Sequence, residues 1–103
     1  MKFSELKAVM SPESRLIFRI FTQSSTTVDS GAVVLFNVTG LDDCDVLLVY
    51  TQTCIQHVDL KMPLDAFNQA DWQQIFGKEP FIRKDGDHPF PTTYQENGIT
   101  EQL

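Results

Sequence analysis

The sequence predicts an α+β fold: a mainly antiparallel sheet of four to five strands, one amphipathic helix packed on a face of it, and a short N-terminal helix. Three observations lead there. Residues 15–60 are dense in Ile, Val, Leu and Phe and contain period-two stretches, the signature of strands. Residues 63–76 carry apolar side chains at helical spacing between a proline and a glycine. From about Pro80 the apolar period vanishes, and over residues 84–103 Gly86, Pro89, Pro91 and Gly98 punctuate the chain. The predicted organisation is a single domain over residues 1–83 and an extended or partly ordered tail over 84–103.

The first predicted helix runs from Phe3 to Met10, with Ser4 as its cap, Glu5 in the first turn, and Phe3, Leu6, Val9 and Met10 on one face. Pro12 ends it, because the residue before a proline avoids the helical region. Arg15 to Thr22 is the first strand: Leu16, Phe18 and Ile20 share one face, Ile17, Arg19 and Phe21 the other. Gln23 to Ser30 reads as a polar loop. Gly31 introduces the second strand, Ala32 to Val38, apolar on both faces and so expected to be covered on both.

Gly40 to Asp45 is a turn, rich in residues that bond their own backbone. Val46 to Tyr50 is a third, wholly apolar strand, and Gln52-Thr53 the tight connection after it. Cys54 to Leu60 alternates, with Ile55, His57 and Asp59 on one face; that half-polar face suits an edge strand. Pro63 then opens a helix with Leu64, Phe67, Trp72, Ile75 and Phe76 as its stripe and Trp72 as a core anchor. The stripe skips between Phe67 and Trp72, so one helix or two fit, with Asn68 a cap for the second. Gly77 closes the helix, Pro80 stops it, and Phe81-Ile82 adds a short strand or a plug.

The chain has 103 residues, 42% hydrophobic and 21% charged, a composition that sustains one core without disulfide or metal. Its net charge of −6 is concentrated: residues 40–77 hold six Asp and one Lys, whereas residues 1–39 hold four basic and three acidic groups. An acidic field repels nucleic acid and anionic membranes and attracts basic protein surfaces. Glu5 interrupts the first ten residues, which do not read as a signal peptide, and no window approaches a membrane span. A cytoplasmic protein with reduced Cys44 and Cys54 is the expectation, and in that setting the sequon at Asn37 carries no meaning.

Five constellations were weighed for chemistry. Cys44, Cys54 and His57, with His88 as a distant fourth, have only one close pair, and residues three apart on a strand point to opposite faces; zinc is disfavoured. The same geometry argues against a Cys54–His57 nucleophile and base, and nothing after Cys54 resembles an oxyanion hole. Asp42, Asp43 and Asp45 crowd one turn, where Asp serves backbone geometry, and Asp85-Gly86-Asp87 is too short for a calcium loop. The tail segment His88-Pro89-Phe90-Pro91 with Tyr94 could dock in a partner groove or on the domain's own sheet. Finally, Asp42, Asp43, Asp45, Asp59, Asp65 and Asp71 could line a negative face that mimics a phosphate backbone.

The functional expectation is therefore a non-enzymatic protein-interaction module without cofactor or metal. Its partner would be a protein with a basic, nucleic-acid-binding surface, reached through those six aspartates. By analogy of size and charge, it would be an accessory or inhibitor protein of the kind phages and mobile elements encode. The alternative is a structural or assembly subunit that oligomerises through an apolar sheet face or a strand edge.

Overall fold

The computed structural model describes residues 1–24 and 26–83; the predicted tail and its aromatic segment lie outside them. The fold is α+β, as expected. A helix α1 (Phe3–Lys7) precedes strands β1 (Arg15–Phe21) and β2 (Thr27–Val34) and a 3₁₀ turn over Leu35–Asn37. Strands β3 (Asp45–Gln52) and β4 (Ile55–Lys61), helices α2 (Leu64–Gln69) and α3 (Trp72–Phe76), and strand β5 (Phe81–Arg83) follow. The sheet order is β3-β4-β1-β2-β5. Neighbours run antiparallel except β1 and β4, which are parallel.

The parallel pair follows from the path of the chain. After the β1–β2 hairpin, residues 35–44 cross the sheet and place β3 at the far rim, and the return strand β4 inserts beside β1. β4 is therefore an inner strand, not the edge strand its alternation suggests. Its polar face is tolerated inside the sheet because the neighbouring strands supply partners for it: Arg19 lies opposite Asp59, and Tyr50 opposite His57.

Three element boundaries also differ from expectation. β2 begins at Thr27, before Gly31, and ends at Val34, where the chain turns into the 3₁₀ segment. Gly31 lies within β2, in a bulge opposite Phe18, with φ of 67°, a conformation that glycine adopts without strain. The bulge would orphan a ladder donor, but Ser30 Oγ accepts from the Phe18 amide at 2.9 Å. At the other hairpin, the turn residues are Thr53 and Cys54, both at positive φ (54° and 64°). The turn thus sits one residue later than Gln52-Thr53, and β4 starts at Ile55.

The core lies on one face of the sheet. Leu16, Phe18 and Ile20 of β1, Val28 of β2, and Val58 and Leu60 of β4 are each 0% exposed. Phe3 of α1, Phe67 of α2 and Phe76 of α3 pack on them, so all three helices cover the same face. Phe18 meets Phe3 edge-on at 5.4 Å between ring centres and stacks on Phe76 at 6.0 Å. α1 ends at Lys7, short of the expected Met10; Leu6 and, in the turn after the helix, Met10 pack on the core, while Val9 is 80% exposed. The cap position is Lys2 and not Ser4; its amide donates to Glu5 Oε1 at 2.8 Å.

The second helical stretch divides in two at Ala70, which has ψ of 138°. Asp71 caps α3 by accepting from the Gln74 amide at 3.2 Å, the role Asn68 was expected to play. Gly77 ends α3 in the left-handed region and donates to Gln73 O. Trp72 is half-buried, not a core anchor: it stacks on Phe76 and meets Phe67 edge-on at the core's rim.

Candidate functional site

The six aspartates of the predicted interaction face have different fates. Asp42, Asp43 and Asp45 are exposed on the turn before β3. That turn is tied to the start of the chain: Phe3 N donates to Cys44 O, Ser4 N to Asp42 O, and Val46 N to Met1 O. Lys7 Nζ lies 2.6 Å from Asp42 Oδ1 and Lys2 Nζ 2.9 Å from Asp45 Oδ1, so two of the three turn charges have internal counterions. Both Lys2, raised above its ordinary pKa, and Asp45, lowered below the carboxylate range, reflect first the hydrogen bond between them. Asp65 is exposed in the first turn of α2, and Asp71 is exposed but committed as the α3 cap.

Asp59 leaves the surface set altogether. It is 1% exposed and makes a two-pronged ion pair with Arg19, each contact 3.2 Å, on the sheet face opposite the helices. Arg19 also donates to the Tyr50 hydroxyl, and its guanidinium lies 5.8 Å from the Tyr50 ring centre and 5.7 Å from that of Phe21. Tyr50 stacks on His57 at 4.9 Å and 12°. Burial pushes the Asp59 carboxyl up, with Arg19 opposing; burial and then the Arg19 charge push His57 down. Sequence reading took Arg19 and Tyr50 as ordinary strand residues. Their position opposite the polar face of β4 was hidden by the unforeseen strand order.

The thiols are far apart. Cys44 sits just before β3 and Cys54 just after it, so an eight-residue strand of roughly 25 Å separates them. Cys44 is buried, and burial, with Asp43 and Asp45 adding to it, pushes its pKa up to about 11. Cys54 is exposed in the hairpin turn. Among the described residues no group of three His, Cys, Asp or Glu is placed to hold a metal, and His88 lies outside them. Nor is any described helix long and apolar enough to cross a membrane.

The strongest surface feature is the outer edge of β3. The strand alternation is broken by a bulge between Val46 and Leu48. Val46 and Val49 thereby both reach the core, and Leu47 and Leu48 between them are left 46% and 48% exposed. A wholly apolar strand calls for cover on both faces, and among the described residues β3 leaves Leu47 and Leu48 without it. Among the described residues, its outer backbone edge is occupied only at the start, where Lys2 forms an antiparallel bridge with Asp45. From Leu47 to Gln52 no described strand pairs with that edge.

Comparisons with protein-family models, with curated proteins and with solved structures find no match.

Proposed function

We propose that this chain is a non-enzymatic, cytoplasmic protein-interaction module that takes an extended, basic segment of a partner as an added strand along β3. The observation that carries the reading is the pairing already begun there. Residues 1–3 lie antiparallel to residues 44–46, and beyond them no described strand pairs with the edge as it runs past two half-exposed leucines. Strand addition draws affinity from main-chain hydrogen bonds and selectivity from alternate side chains. Leu47 and Leu48 supply the apolar contact, and Asp43, the turn aspartate just ahead of the strand without an ion pair among the described residues, favours lysine or arginine on the incoming segment.

An edge of this length and composition is a pairing hazard unless something uses it. A second copy is the other occupant that the leucines favour, since an apolar edge matches itself in an isologous pair.

The test is affinity capture from a bacterial lysate at low and high salt, alongside light scattering of the purified chain, for the wild type and for Leu47→Lys and Leu48→Lys. A captured protein that both variants lose, and that high salt weakens, supports the module. A dimer that both variants dissolve supports self-pairing instead. A captured protein that both variants retain, or a monomer that captures nothing, overturns the use of this edge.

A further inference from the structure

At the opposite rim, β5 pairs only with Thr27 to Asp29, so the last residues of β2 run on beside the connection from α3 to β5. Between them lies a cleft of about 600 Å³, within the range of small-ligand sites. Half-buried Ala32 and Val34 form an apolar wall, and Arg15, Asn37 and Lys78 bring polar groups. In a chain of net charge −6, this cleft gathers two cations, and neither takes part in an ion pair among the described residues. Lys78 Nζ lies 3.5 Å from Ala32 O and so close over Gly31 that a Cβ there would meet it at 3.2 Å.

We propose that this cleft binds a small organic anion, a single carboxylate or phosphate group on an apolar body. The anionic group bridges Arg15 and Lys78, with Asn37 as a neutral donor, and the body lies against Ala32 and Val34. Arg15 supplies a planar fork suited to either oxyanion, and Lys78 a point charge. The site is independent of the β3 edge, since β2 and β3 lie on opposite sides of the β4–β1 pair.

Amide shifts of the ¹⁵N-labelled chain, titrated with phenyl phosphate, phenylacetate and inorganic phosphate, test the proposal. The expected result is a saturable shift confined to residues 32–34, 37 and 76–78 with at least one of the two aryl anions. Whichever aryl anion binds tighter assigns the group as phosphate or carboxylate. Arg15→Gln and Lys78→Gln should each weaken binding about fivefold, the upper range for one exposed charge pair, and the double variant should not saturate. Arg15→Lys and Lys78→Arg, which keep both charges, should retain binding. Non-saturating shifts with both aryl anions, or equal affinity in the double variant, would overturn the site. Inorganic phosphate binding as tightly as phenyl phosphate would overturn the role of the apolar wall.

Discussion

Strands β1 and β3 are alike as sequences, Arg-Leu-Ile-Phe-Arg-Ile-Phe against Asp-Val-Leu-Leu-Val-Tyr-Thr-Gln, yet they have opposite roles. β1 lies in the middle of the sheet, and Leu16, Phe18 and Ile20 are wholly buried. β3 lies at the rim, and Leu47 and Leu48 are half exposed. An apolar strand stabilises the fold only where both neighbours and a covering layer exist. The same composition at a rim becomes contact surface. Position in the sheet order, and not composition, separates a strand buried in the core from one that leaves apolar side chains at the surface.

The sharpest way to break that contrast is to truncate in the middle. Phe18→Ala removes a ring packed between Phe3 and Phe76 and should cost about 3–5 kcal/mol in denaturant unfolding. A loss under about 1 kcal/mol would mean that β1 does not organise the core. On the far face of the sheet, Asp59→Ala in β4 leaves the Arg19 guanidinium of β1 without its carboxylate and should cost about 2–3 kcal/mol, less than a fully buried pair because Arg19 keeps some solvent contact. Arg19→Met with Asp59→Leu should recover most of that loss. Failure to recover would show that the polar cluster stabilises the sheet beyond the cost of an unpaired charge.

His57 gives a smaller effect with a defined sign. Its folded-state pKa lies below the ordinary 6.5, so the unfolded chain binds the proton more tightly. The contribution of neutral His57 is present above about pH 6.5 and is lost as the pH falls through that value. His57→Gln should therefore flatten the acid side of the stability profile below about pH 6.5, read by denaturant midpoints. An equally steep decline in the variant would place the titration elsewhere. The smallest stability effect belongs to the rim: Leu47→Lys should change unfolding free energy by no more than about 0.5 kcal/mol, because its side chain lies outside the core.

Much of the local structure was legible. The period of Leu16, Phe18 and Ile20, the skip between Phe67 and Trp72, and the Gly77 stop each follow from short-range rules, and the elements formed close to where those rules put them. Strand order was not legible, because it depends on where residues 35–44 carry the chain. That one unknown explains the main corrections: His57 and Asp59 read as an edge face because Arg19 and Tyr50 could not be seen opposite them. Gly31 read as the start of a strand because the bulge it serves exists only once β1 lies alongside. Of the predicted interaction face, Asp42, Asp43, Asp45 and Asp65 are indeed on the surface, yet composition gave no sign of the lysines that answer two of them. Arg15 and Lys78, 63 positions apart by their numbering, meet at one cleft only in the folded chain.

The most direct test of the β3 edge is residue-resolved amide hydrogen exchange on the free chain and on the chain saturated with its captured partner. In the free chain, the alternate amides of Leu47 to Gln52 that do not bond β4 should exchange at rates near those of open surface, while the amides of β1 stay protected. With partner bound, those same β3 amides should become protected and β1 should change little. Unchanged exchange along β3 in the saturated complex, with protection appearing elsewhere, would contradict strand addition and remove β3 as the binding element.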